Sequence, residues 1–207
     1  MSTLTILLGQ MAAELNDSDH AIWSTDALTA HLRRALHEIN LLAPWPQVDT
    51  LTPAAGARTL DLSPLGEVLE VSDVWFPCDA TGAHPPLRPG WRWLDEATLW
   101  LSIEQPADGV QQAQVRYTRP HLVDGLDGAT TTSLDGTGLA LLVLGATAAA
   151  AEQLALARTG AVTVAHTTPD QLARWARERR EQFERGVRRL AARRWQGDLR
   201  VAWDEAV

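Results

Sequence analysis

The stretch Trp91-Arg92-Trp93-Leu94-Asp95-Glu96-Ala97-Thr98-Leu99-Trp100-Leu101-Ser102-Ile103 decides how this chain is read. Trp91 to Leu94 and Thr98 to Ile103 carry the aromatic and branched residues of strands, with Asp95 and Glu96 supplying a hairpin turn. Leu99, Leu101 and Ile103 alternate with Trp100, Ser102 and Glu104, the period of a strand with one buried face. The same alternation puts Trp91 and Trp93 on one face, leaving Trp100 or one of that pair open to solvent.

Outward from the hairpin, Thr59 to Leu62, Val68 to Phe76 and Val110 to Thr118 read as further strands. Asp79 to Gly90, with Pro85, Pro86 and Pro89, is expected as a loop, and Pro106, Asp108 and Gly109 as a turn. Four or five strands in so short a span predict a small antiparallel barrel or sandwich.

Helical periodicity flanks this region on both sides. Leu4, Leu7, Leu8, Met11 and Leu15 recur at three and four residues, as do Leu28, Leu32, Leu36 and Ile39. The second of these helices is expected to start near Ser24 or Thr25 and to end at Pro44 and Pro46, with Trp45 packed back over the helix pair. Beyond the strands, Thr137 to Arg158 is an alanine-rich helix for a crowded centre. Thr168-Pro169-Asp170 then opens a last helix through Leu172, Trp175, Phe183, Val187 and Leu190 to about Trp195. The expected fold is therefore α+β: a four-helix all-α core, residues 1–57 and 119–207, interrupted at 58–118 by a small antiparallel β-barrel or β-sandwich-like, Trp-containing insertion.

Charge is distributed unevenly. Residues 1–160 hold 8 Arg and 19 acids, net −11, whereas residues 161–207 hold 10 Arg and 7 acids, net +3. One acidic end and one basic end can orient a molecule against a partner or against its own copies. All 18 basic residues are Arg. The single cysteine, Cys78, excludes an intrachain disulfide framework. The N-terminus lacks a positive n-region, so no signal peptide is expected. Leu139 to Ala151 is short and alanine-rich for a bilayer span, so no membrane partner is expected.

No phosphate loop, dinucleotide fingerprint, nucleophile elbow or HExxH zinc motif occurs. His121, Asp124 and Asp127 are the best polar constellation and the residues on which a hydrolase reading rests. Their spacing matches no calcium loop, and aspartates beside glycines are ordinary turn builders. No catalytic, cofactor or metal site is expected. Nine tryptophans are many for 207 residues. Trp91, Trp93, Trp100, Arg177, Arg180, Arg188, Arg189, Trp195 and Trp203 are the candidates for a partner interface.

The opening helix pair joined by Trp23-Ser24-Thr25-Asp26-Ala27-Leu28 comes first. The insert then ends in Tyr117-Thr118-Arg119-Pro120-His121, and Val123-Asp124-Gly125-Leu126-Asp127-Gly128-Ala129-Thr130 follows. With the helix around Leu141-Leu142-Val143-Leu144-Gly145-Ala146 and the Arg-rich last helix, this arrangement resembles the head–tail connector (adaptor, neck) proteins of tailed bacteriophages. That resemblance implies a non-enzymatic structural subunit of the virion neck, assembled in the host cytoplasm. It implies a ring, commonly dodecameric, bound to the portal protein and followed by a neck or tail-completion protein. DNA would pass through the assembly without specific recognition. The alternatives are a cellular protein- or carbohydrate-binding module displayed by the insertion, and the His121/Asp124/Asp127 hydrolase.

Overall fold

Ser2 opens α1 (Thr3–Glu14), its hydroxyl accepting the Thr5 amide, while Asp124 takes the Thr3 amide at 3.1 Å. The computed structural model describes residues 2–78, 87–158 and 169–203, with side chains described through residue 192. Its architecture is α+β, with four helices and two small antiparallel sheets and no closed barrel among the described residues. The chain divides into a unit of Met1–Ala43 with His121–Val207, and a unit of Pro44–Pro120.

In the first unit, α2 (Thr25–Leu42) starts as its sequence predicts. Ser24 is the cap, accepting the Ala27 amide, and Asp26 lies in the first turn. The connection from α1 is organised by Asp17, whose carboxylate is only 5% exposed. It accepts the amides of Ala21 at 2.9 Å, Ile22 at 3.1 Å and Trp23 at 2.8 Å. Burial pushes the Asp17 carboxyl upward, but these three bonds and His20 outweigh it and hold its pKa below 3.8. Trp23, placed by that turn, is buried and meets the His31 ring edge-on at 5.7 Å.

Helix α3 (Gly136–Arg158) is the middle of this unit, with Leu142, Val143, Ala146 and Ala150 buried among residues of α1, α2 and α4. By length and composition it could cross a membrane, yet 56% of its apolar window is buried inside the fold. Its antiparallel neighbour is α4 (Pro169–Trp203). A glycine on each helix faces a large side chain of the other. A Cβ on Gly145 would come within 2.7 Å of the buried Phe183 ring, and one on Gly186 would collide with Leu141 Cδ2. One level of the bundle is also tied by charge. Glu14 pairs with Arg179 and lies 3.4 Å from the Thr147 hydroxyl, while Arg180 reaches Glu38 at 3.0 Å and Glu184 at 3.2 Å.

The second unit is a sandwich of two three-stranded sheets. Their orders are β1 (Trp45–Leu51)–β6 (Gln112–Arg119)–β3 (Glu70–Cys78) and β2 (Thr59–Asp61)–β5 (Thr98–Ser102)–β4 (Gly90–Asp95). Alternation puts Val115 and Tyr117 of the first sheet and Leu99 and Leu101 of the second into one core with Leu60, Val74 and Phe76. The predicted hairpin is β4–β5, paired from Gly90↔Ser102 to Asp95↔Thr98. The first and last strands, β1 and β6, pair without a register shift from Trp45↔Arg119 to Leu51↔Ala113.

Three expectations change. Trp45 does not lie over the helix pair: it begins β1, because Pro44 and Pro46 are tolerated on an edge strand. The sheet therefore starts well before residue 58. The last helix also continues past Trp195 to Trp203, carrying Gly197 at a cost of about 1 kcal/mol relative to alanine. Thr168, at the expected start of the last helix, and most of the proline-rich loop lie outside the described residues, as does a β-prone stretch, Val162 to Val164, expected from sequence to follow Gly160.

Gly145→Ala should lower stability by about 1–2 kcal/mol, because overpacking a buried ring outweighs the helix-propensity gain. Gly186→Ala should be nearly neutral, since Leu141 can turn its tip away. Thermal denaturation of both variants checks the contrast. Asp17→Asn should cost about 1–3 kcal/mol near pH 6. Because the folded Asp17 pKa is depressed, its contribution is present above 3.8 and lost as pH falls through the lower folded value. The gap between wild type and variant in chemical denaturation should therefore close on acidification.

Candidate assembly interface

The tryptophans of the sandwich divide between core and surface as strand alternation requires. Trp91 and Trp93 share the face of Leu101 and Leu99, their partners across β4–β5, while Trp100 lies opposite Arg92 on the outer face. Trp91 packs against the core, and Trp93 at the open edge is 38% exposed. Three other rings carry guanidinium groups. Arg116 and Arg88 lie 4.3 and 5.2 Å from the centre of Trp75, Arg92 lies 5.2 Å from Trp100, and Arg119 lies 5.6 Å from Trp45. Trp75 also donates its indole N–H to Asp73 at 2.6 Å. These cation–π contacts use the arginines of the sandwich to cover aromatic faces, leaving many of its carboxylates exposed. Sequence alone does not reveal the pairing, because Arg116 and Trp75 are far apart along the chain.

The four candidate arginines of α4 have different situations. Arg180 is held within its own unit by Glu38 and Glu184, and the bond to Glu38 is the main reason its guanidinium pKa is raised. Arg188 makes a longer contact, 3.8 Å, with Glu184. Arg177 lines a groove with Ala155, Leu156 and Ala173 between the end of α3 and the start of α4. Arg189 lines a second groove with Thr137, Leu141, Arg185, Gly186 and Leu190. Trp195 and Trp203 belong to α4, but their side chains lie outside the described residues.

His121, Asp124 and Asp127 each have a separate task. The buried His121 ring meets Ser133 Oγ at 2.8 Å through Nδ1 and the Ala43 carbonyl at 3.2 Å through Nε2. The Ala43 carbonyl can only accept, so Nε2 carries a proton, and Ser133 Oγ also accepts the Leu122 amide at 2.9 Å. The His121 amide donates to Asn40 Oδ1 at 2.8 Å. Asp124 caps α1, and Asp127 pairs with Arg33 at 2.7 Å on the surface. These groups do not converge on a common point, and the described residues hold no group of three metal-ligating side chains. His31 is also structural: burial lowers its pKa, Gln153 opposes that shift and Arg34 adds to it.

Compared with known proteins, the chain matches no family model and no curated protein. Among solved structures it is similar to a chain titled neck of an empty GTA particle computed with C6 symmetry. That likeness has 17% identity, covers 82% of this chain and 87% of the other, and has a TM-score of 0.30. It is also similar to a chain titled neck of a native GTA particle computed with C12 symmetry, at 19% identity, 85% and 91% coverage and a TM-score of 0.28. GTA denotes a phage-like gene transfer agent.

His121→Ala should destabilise by about 2–3 kcal/mol, since it empties a buried site and removes one bond each from the Ala43 carbonyl and the half-buried Ser133 hydroxyl. Asp127→Ala should cost under about 1 kcal/mol, the range of an exposed ion pair. Urea unfolding midpoints of the two variants test this ranking, which a shared reaction centre would not impose.

Proposed function

We propose that this chain is a structural connector subunit that self-associates into a ring, joins a phage portal to neck or tail proteins, and lets DNA pass unread. The supporting observation is the way the sandwich is inserted. Ala43 and His121, on either side of it, are bonded within the helical unit, and Trp45 and Arg119 are partners within the sandwich. A self-contained β unit is thus attached to a helical body, the organisation of the connectors that the sequence resembles. The constellation nearest to a reaction centre consists of groups spent on holding the fold. The uneven charge, net −11 over 1–160 and +3 over 161–207, suits stacking against copies and neighbouring rings. Twelvefold order, portal contact through the last helix, and location in the virion neck belong to this proposal. So does the interface set, in which Trp93, Arg177, Arg188 and Arg189 are exposed.

A carbohydrate-binding module is less well supported, because a sugar needs open aromatic faces and those of Trp45, Trp75 and Trp100 lie under guanidinium groups, which leaves the partly exposed Trp93 as the open ring among these four. Mass photometry is expected to show one discrete species many times heavier than the 22.6 kDa chain, alone or on addition of the cognate portal ring. A strict monomer that ignores the portal would end this reading.

A further inference from the structure

We propose that the β4–β5 hairpin tip of one copy, Leu94-Asp95-Glu96, seats in the groove between α3 and α4 of the next copy. The inference rests on the ring reading and names its contact. Thr137, Leu141, Gly186 and Leu190 make the groove's mostly apolar part, and Arg185 and Arg189 stand beside it. These two arginines are four residues apart on one exposed helix face, and among the described residues neither has an acidic partner. Two like charges in that relation destabilise an isolated helix by a few tenths of a kcal/mol, so an external anion is favoured there.

The hairpin tip offers the complement. Leu94 is 50% exposed and is followed directly by two exposed acids. Asp95 uses one oxygen to accept the Ala97 amide at 2.9 Å, which holds the turn and keeps the negative charge at the tip. Leu94 meets an apolar floor, while two carboxylates meet two guanidinium groups. DNA offers only charge, and it would also meet a chain of net charge −8. The second copy is therefore the better occupant.

The geometry has a further consequence. Tip and groove are different surfaces, so the contact is heterologous, and repetition yields a closed ring or an open helix instead of a two-fold dimer. Being partly electrostatic and exposed, it weakens as salt rises.

The test is assembly mass by light scattering for wild type, Arg185→Glu/Arg189→Glu, Leu94→Ser/Glu96→Arg, and a charge swap joining Arg189→Glu to Glu96→Arg. Circular dichroism verifies folding of each variant. The first two variants should weaken self-association at least about tenfold, and the swap should recover much of it. Wild-type mass should fall between low and high salt without any substitution. Rings that persist in the groove and tip variants would overturn this contact while leaving the ring reading intact. A wild type that stays monomeric both alone and with the portal ring would overturn the ring reading itself. Unchanged mass together with lost binding to a DNA duplex in Arg185→Glu/Arg189→Glu would make the groove a DNA contact and also overturn the proposal.

Discussion

The Phe183 ring against Gly145 sets the scale of the helical unit. A ring of that size enters a helix–helix contact only where the facing residue has no side chain, and Gly186 returns the accommodation to Leu141 one turn on. Phe183 and Leu141 fill the space over the two glycines, and alanines make up most of the rest of the buried face of α3. Ala146 and Ala150 are fully buried yet supply little apolar area each. Close approach compensates through dispersion contacts, which fall away quickly with any gap. The ion pairs Glu14–Arg179 and Arg180–Glu38 act at the same level of the bundle and fix the rotation of α4 about its axis.

The sandwich solves a different problem. It is small, so its core combines aliphatic residues with Phe76 and Tyr117, and further large rings lie at its periphery. Tyr117 shows the cost of that choice. Burial first, and then its bond to Asp49, push the phenol pKa up to about 12, so the ring stays neutral and its hydroxyl must keep a partner. The arginines then cover the peripheral indoles. A carboxylate-rich surface remains as a by-product of how the aromatic rings were accommodated.

Much of this was legible in the sequence because local signals agreed with tertiary demands. The stripes of α1 and α2, the Ser24 cap, the Pro169 start of α4 and the β4–β5 hairpin all follow from spacing and cap chemistry. Strand β1 did not, because two prolines flanking Trp45 resemble a helix stop, and only the partner strand β6 makes the segment extended. The roles of Gly145 and Gly186 depend on residues of another helix and leave no local signature. Of the surroundings of the proposed interface residues, only the local part was legible. Alternation sorted Trp91 and Trp93 from Trp100, but the Glu38–Arg180 pair spans most of the chain and has no signature in either segment. The same applies to His121, whose partners Asn40 and Ala43 precede the whole insertion.

The pairing of β1 with β6 reaches beyond stability. Since entry and exit of the sandwich are neighbours on adjacent strands, the whole module hangs from a single two-stranded stem. Evolution can graft such a module onto a helical frame, enlarge it or delete it at one junction, without rethreading any helix. Pulling on that stem would separate the strands one hydrogen bond after another, as a zipper opens, instead of shearing them all at once.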